Sequence, residues 1–333
     1  MLDAKKVAPV GQSPRCTVVL GMGGTIAGRA LCAGDTVGYV AGQVPVSELL
    51  EGIPAAQGLW VEAEQVAQID SKDMRHSHWL ALADRVAHHL ARDDVQAVVI
   101  THGTDTAEET AFFLQTVLRP SKPVVIAVAM RPVSALAPDG PQNLNDALCV
   151  AQLPGAHGVV LVCAGWVHLA HDVAKVHATD LNAFDSGDAG ALGRVVHHQV
   201  VCFRPWSQLG LATAGAGALG LLRAAGRWPR VEVVMSHTDS DGALVGALLA
   251  QRALGAYVLD GLVVAGTGNG TVHEGLQSAL LQAQAQGVRV VVSSRCAFGR
   301  HVDTEGAEKP ASVSLSPVKA RVALMLDLLG LSD

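Results

Sequence analysis

The chain has 333 residues, half of them hydrophobic and only 16% charged, which is enough apolar material for one large or two smaller buried cores and excludes a disordered chain. The formal charge is −6 with no long basic run, so nucleic-acid binding has no electrostatic support. No apolar stretch is long enough to span a membrane, and the six cysteines are scattered without a C-x-x-C pair, which reads as reduced thiols and a cytoplasmic protein.

In chain order, the segment Met1 to Arg15 carries charges but no apolar run followed by a cleavage site, so no secretory signal is expected. Strands are predicted at Cys16–Gly21, Trp60–Ile69, Ala97–Thr101, Pro123–Val128 and Gly158–Cys163. Helices are predicted over the amphipathic Met74–Ala91, over Thr106–Leu118, whose Glu108 and Glu109 suit a helix start, and over Asn143–Gln152 after a turn at Pro138-Asp139-Gly140-Pro141. Leu209 to Gly226, thick in glycine and alanine, reads as a linker with little patterning. Beyond it come strand Val231–Met235, helix Gly242–Leu254, strand Gly261–Val264, helix Val272–Gln284, strand Val288–Ser293 and a closing helix Pro317–Leu329. The alternation predicts a two-domain α/β protein. Residues 1–208 form a larger, mostly parallel sheet flanked by helices, 209–229 the linker, and 230–333 a smaller α/β domain.

Two threonines stand out. Thr25 follows Val18-Val19-Leu20-Gly21-Met22-Gly23-Gly24, and Thr104 follows Val98-Val99-Ile100-Thr101-His102-Gly103. Both sit just past the carboxyl end of a predicted buried strand, where open α/β sheets bind ligands. A hydroxyl flanked by glycines there is a candidate nucleophile. The first loop fails as a dinucleotide fingerprint, because Ile26 occupies the third glycine position, and it lacks the lysine of a phosphate-binding loop. Asp105 suits either a helix cap or an anchor for a substrate ammonium. Lys175 reads as a solvated charge unless it is buried beside a threonine, where it would serve as a base. The close histidine pairs, such as His88-His89 and His197-His198, match no zinc pattern and read as structural or surface groups, and no metal site is expected.

Taken together, Gly23-Gly24-Thr25-Ile26-Ala27 and Ile100-Thr101-His102-Gly103-Thr104-Asp105-Thr106 with Glu108-Glu109-Thr110-Ala111 resemble the two signatures of the bacterial-type L-asparaginases. Ala129-Met130-Arg131-Pro132, Asp139-Gly140-Pro141-Gln142-Asn143-Leu144, Gly266-Thr267-Gly268-Asn269-Gly270 and Ser293-Ser294-Arg295 extend the similarity over nearly the whole chain. The resemblance implies an amidohydrolase for L-asparagine that works without metal or organic cofactor. It implies Thr25 as nucleophile, Tyr39 as its support on a mobile loop between Ala27 and Gly42, and Thr104 with Lys175 as the proton-handling pair. It gives Ser71, Gly103 and Asp105 to the substrate pocket, and it implies a homotetramer of paired dimers in which a neighbour completes each site. Three positions depart from the pattern of the secreted members. Lys72 replaces a glutamine, Asp239 aligns with an asparagine supplied by the neighbour, and Glu305 falls near the neighbour's glutamate. A lysine near the substrate ammonium would repel it and Asp239 would attract it, so either the two changes compensate or Lys72 points away, and the choice between asparagine, glutamine and a related amide stays open. Two other readings stand beside this one. A tRNA-dependent amidotransferase subunit would be expected to carry an extra N-terminal domain, and a non-catalytic amino-acid-binding protein would be expected to have a damaged motif.

Overall fold

The computed structural model describes residues 15–30, 32, 35, 38–206, 215–299, 301–302 and 310–331. The strands are β1 (Cys16–Gly23), β2 (Arg29–Ala30), β3 (Tyr39–Val40), β4 (Trp60–Ile69), β5 (Val95–Thr101), β6 (Pro123–Ala127), β7 (Gly158–Cys163), β8 (Trp166–Leu169), β9 (Ala174–Lys175), β10 (Phe184–Asp185), β11 (Gly193–Val196), β12 (Gln199–Cys202), β13 (Val231–Met235), β14 (Gly261–Gly266), β15 (Arg289–Ser294) and β16 (Ala311–Ser312). The helices are α1 (Val46–Leu49), α2 (His76–Leu90), α3 (Ala107–Leu118), α4 (Gly140–Ala151), α5 (Gly215–Ala224), α6 (Ala243–Ala253), α7 (Glu274–Ala285) and α8 (Pro317–Leu328).

Eight strands form the large sheet in the order β12-β11-β8-β7-β6-β5-β1-β4. The five from β4 to β7 run parallel, and β8, β11 and β12 extend them antiparallel. Apart from the edge strand β4, the parallel strands are apolar runs buried on both faces, and their alternate residues feed two separate cores. Val18, Leu20, Val98, Ile100, Val124 and Ile126 meet α2 and α3 on one face, whereas Val19, Val99, Val125 and Val160 meet α4 on the other. Phe113 of α3 is fully buried and stacks on Trp79 of α2 at 4.8 Å. Truncating such a ring to alanine costs about 3–5 kcal/mol.

The parallel strand order β4-β1-β5-β6-β7 reverses at β1, which creates a switch point between the loops leaving β1 and β5. The connections through α3 and α4 step the same way across the sheet but pack on opposite faces. The two crossovers therefore have opposite hands, and one departs from the right-handed rule.

The smaller sheet is wholly parallel, in the order β13-β14-β15-β16, with α6 and α7 sharing a core against one face. From α8, Ala320, Val322, Leu324, Met325 and Leu326 pack into the same core as α2 and α3, so apolar packing is continuous between the two sheets.

Two local expectations need correction. The segment read as an unpatterned linker contains α5, whose Leu219 and Leu222 are buried in the first core. Gly215, Gly217 and Gly220 lower its helix propensity, but burying leucines spaced three apart overrides that cost. The presumed turn at Gly140-Pro141 is the first turn of α4, a position where proline sacrifices no hydrogen bond.

Candidate active site

Three parallel neighbours, β4, β1 and β5, deliver the site at their carboxyl ends. At the end of β1, Gly23 and the following Gly24 take φ of 93° and 80°, a region that favours glycine, and Thr25 opens a single 3-10 turn. A Cβ on Gly24 would lie 2.2 Å from the Cα of Gly103, so the two threonine loops meet backbone against backbone. Gly103 is confined in turn, since a Cβ there would lie 2.4 Å from the Ser71 hydroxyl.

The contact stacks three segments in order: the Thr25 loop, the Thr104 loop, and the turn Ser71–Asp73 after β4. Ser71 is 2% exposed, and its Oγ accepts from the Asp105 amide at 3.2 Å while its carbonyl accepts from Thr106 Oγ1 at 2.9 Å. His102 is fully buried behind this turn, and its Nδ1 donates to the Gly103 carbonyl at 2.7 Å. Burial pushes the imidazole down to about 4, so it is neutral at pH 7 and braces the loop.

The chemistry faces a cavity of about 570 Å³ lined by Thr25, Tyr39, Thr104, Asp105, Arg131, Lys175 and flanking side chains from Ala135–Ala137 and Ala178–Thr179. The Oγ1 of Thr25 lies 2.6 Å from the Tyr39 hydroxyl, which is carried by the β2–β3 hairpin. Of that loop, residues 31, 33, 34, 36 and 37 lie outside the described residues. Across the cavity, Lys175 Nζ donates to Thr104 Oγ1 at 2.9 Å and to Asp105 Oδ1 at 2.7 Å. The lysine side chain is 18% exposed and the aspartate side chain 50% exposed, so Lys175 is the partly buried member beside a threonine and Asp105 keeps one edge open to the cavity.

The structure thus brings Thr25, Tyr39, Thr104, Asp105 and Lys175 to one cavity, with Gly103 and Ser71 directly beneath it. It does not bring Lys72 there. Lys72 is exposed and pairs with Asp70 at 2.5 Å and Asp73 at 3.4 Å, which turns its cation away from the substrate space. Asp239 is an exposed residue past β13 with φ 61°, and it is not part of the cavity wall of its own chain. Glu305 lies outside the described residues. Among the described residues, no group of three or more His, Cys, Asp or Glu side chains could hold a metal ion.

Two contributions were not drawn from the sequence. Arg131 lines the cavity, held by its backbone amide donating to Asp139 Oδ1 and by its guanidinium donating to the Ala137 carbonyl. Its signal was the Met130-Arg131-Pro132 block itself. Glu108 reads as a helix-start acid, but it is 9% exposed, and it accepts from the Lys175 amide at 3.3 Å and from Ser316 Oγ at 3.2 Å.

A family model for the asparaginase N-terminal domain matches residues 17–208, and one for the glutaminase/asparaginase C-terminal domain matches residues 230–330. The chain is 34% identical to L-asparaginase 2 of Bacillus subtilis (strain 168), over 95% of this chain and 83% of that one. It is also 34% identical to the glutaminase-asparaginase of Pseudomonas fluorescens biotype A, over 95% of this chain and 87% of that one. The crystal structure of a probable cytoplasmic L-asparaginase from Campylobacter jejuni superposes with a TM-score of 0.84 at 34% identity, covering 95% of each chain. By its fold, its paired threonine loops and these matches over both halves, the chain belongs to the asparaginase family.

Proposed function

We propose that this protein hydrolyses the side-chain amide of L-asparagine to L-aspartate and ammonia through an acyl-enzyme on Thr25. The observation that carries the reading is the pairing across one cavity of Thr25 with Tyr39, at 2.6 Å, and of Thr104 with Lys175, at 2.9 Å. An amide is a poor electrophile, so the site must activate a hydroxyl and stabilise the developing oxyanion. Thr25 Oγ1 bonds to the amide carbon as its proton passes to the Tyr39 oxygen, which hands its own phenolic proton on toward the amide nitrogen. The intermediate collapses, the C–N bond breaks, and the nitrogen takes up a proton and leaves as ammonia. Water then adds to the aspartyl ester, the ester bond breaks, and aspartate departs as Thr25 regains its proton. Thr104 and Lys175 carry protons between the reacting group and solvent. The open edge of Asp105 takes the substrate ammonium, and Ser71 holds the Asp105 amide in place.

Relatives with both names share the same 34% identity, so glutamine is the second substrate to test. The outward turn of Lys72 removes its repulsion of the substrate ammonium. Asp239 stands apart from the cavity of its own chain, and for it to meet the substrate a neighbouring copy must supply it. This supports a homo-oligomer, which we take to be a tetramer of paired dimers; a monomer with full activity in sedimentation and assay at the same concentration would contradict it. We assign the protein to the cytoplasm, in line with the Campylobacter jejuni relative named a probable cytoplasmic L-asparaginase, whereas one from Haemophilus influenzae is named a probable periplasmic one. Cell fractionation decides.

The mechanism is tested by quenching turnover and mapping peptides by mass. An aspartyl group, asparagine less ammonia, is expected on the peptide carrying Thr25 and is expected to disappear in Thr25→Ala. An adduct confined to the Thr104 peptide would reverse the roles.

A further inference from the structure

The last helix of the chain reaches the catalytic strand through two buried charged side chains. Lys319 of α8 is 1% exposed, and its Nζ donates to the carbonyl of His171 at 2.9 Å and to the carbonyl of Val173. These carbonyls belong to the turn that enters β9, where Lys175 sits. Glu108, in the first turn of α3, accepts from the backbone amide of Lys175 with one oxygen and from Ser316, the residue that precedes α8, with the other. Burial pushes the Glu108 carboxyl up and the Lys319 ammonium down to about 8, while the charge of each offsets part of that cost for the other. Isolated charges are rarely kept in a core unless they are paired and hydrogen-bonded.

The connectivity decides what the pair does. Lys175 is tied to the Thr104 loop at two points: its Nζ bonds Thr104 and Asp105, and its amide bonds Glu108, one turn further along the same segment. Its strand, β9, has two residues and among the described residues pairs only with the equally short β10, Phe184 opposite Lys175 and Asp185 opposite Ala174. So short a ribbon is marginal by itself. Its position must come from side chains that grip the backbone in and around it: Glu108 holds the Lys175 amide, and Lys319 holds two carbonyls of the turn that enters the strand.

We infer that Lys319 and Glu108 are positioning residues that clamp β9 and the turn that enters it between α3 and α8, and so set where the amine of Lys175 meets Thr104. The inference rests on the role proposed for Lys175 and adds that the C-terminal half contributes to catalysis within its own chain. The clamp does not touch Thr25 and reaches Asp105 only through Lys175, while Ser71 holds the Asp105 amide independently, so loosening it costs turnover more than substrate affinity. Misplacement by about 1 Å at a proton-transfer pair can cost up to about a hundredfold in rate.

The test measures kcat and KM for L-asparagine in the full-length protein, with folding checked by circular dichroism and sedimentation. Lys319→Met and Glu108→Ala are expected to lower kcat by about tenfold or more with KM within about threefold of the parent. Glu108→Gln, which keeps an acceptor for the Lys175 amide, is expected to recover most of the kcat lost in Glu108→Ala. If either buried substitution fails to fold, Ser316→Ala removes a single hydroxyl and is expected to lower kcat about two- to fivefold at unchanged KM. A kcat within twofold of the parent in folded Lys319→Met, no recovery in Glu108→Gln, or an unchanged kcat in Ser316→Ala would each overturn the clamp. Lys175→Met, run alongside, separates the two ideas. Full activity there sinks the role of Lys175 itself, while an inactive Lys175→Met with an unaffected Lys319→Met removes only the clamp.

Discussion

At its carboxyl edge the large sheet ends in Gly23-Gly24-Thr25 and His102-Gly103-Thr104-Asp105, and the small sheet ends in Ser236-His237-Thr238-Asp239 and Gly266-Thr267-Gly268-Asn269. The residue types are nearly the same and both sheets have parallel cores, yet the outcomes differ. In the large sheet the order β4-β1-β5 reverses at β1, so the chain leaves neighbouring strands toward opposite faces and opens a crevice between them. In the small sheet β13, β14, β15 and β16 follow one another without reversal, and α6 and α7 lie on one face. Its threonines then satisfy each other. Thr267 and Thr271 exchange backbone bonds at 2.8 Å, and their hydroxyls meet at 2.7 Å. Topology thus separates two similar loop sets within one chain, one opening a crevice where the active site is proposed and the other closing on itself.

The sharpest way to break this comparison is to remove the hydroxyl at the switch point. Thr25→Ala is expected to lower kcat by about a thousandfold or more while leaving the melting temperature close to the parent's, as read by steady-state assay and calorimetry. The close approach of the two loops comes next. Gly24→Ala places a methyl group against Gly103 in a backbone region that disfavours side chains, and is expected to cost about 1–3 kcal/mol in denaturant unfolding and about a hundredfold in kcat/KM. A variant with parental activity would show that the loops need not touch.

A smaller effect concerns the seam between the sheets. Burial pushes the Glu109 carboxyl up to about 7, offset in part by Arg321 of α8. Its folded pKa exceeds the ordinary value near 4.5, so its contribution to stability is present below that value and is lost as pH rises toward 7. Glu109→Gln is expected to flatten the fall of the melting temperature across that window, and two parallel curves would refute the assignment. The smallest effect belongs to the other sheet. Thr267→Val deletes a hydroxyl satisfied within its own loop, and is expected to change kcat less than twofold and stability by about 1 kcal/mol.

Much of this was legible in the sequence because buried parallel strands are plain apolar runs and the edge strand β4 alternates polar with apolar residues. Cys16–Gly21, Trp60–Ile69 and Pro123–Val128 reappear as β1, β4 and β6 with ends shifted by no more than two residues. The antiparallel extension β8, β11 and β12 escaped notice because its strands are four residues each and carry exposed or polar groups such as His168, Arg194 and Gln199. The partners of Glu108 were invisible for a different reason. Lys175 lies 67 residues away and Ser316 lies 208 away, and no local pattern reports a hydrogen bond across such distances. The sequence leaves open whether Lys72 faces the substrate or points away, and its pairing with the flanking Asp70 and Asp73 turns it outward.

The central claim, that the two strand-end threonines form one amide-hydrolysing centre, is tested most directly by ammonia release from the purified protein at saturating L-asparagine, beside L-glutamine, D-asparagine and a Thr25→Ala control. Release from L-asparagine that disappears in Thr25→Ala is the predicted result. No release from any of the three amides, or release that persists undiminished in Thr25→Ala, would contradict the account.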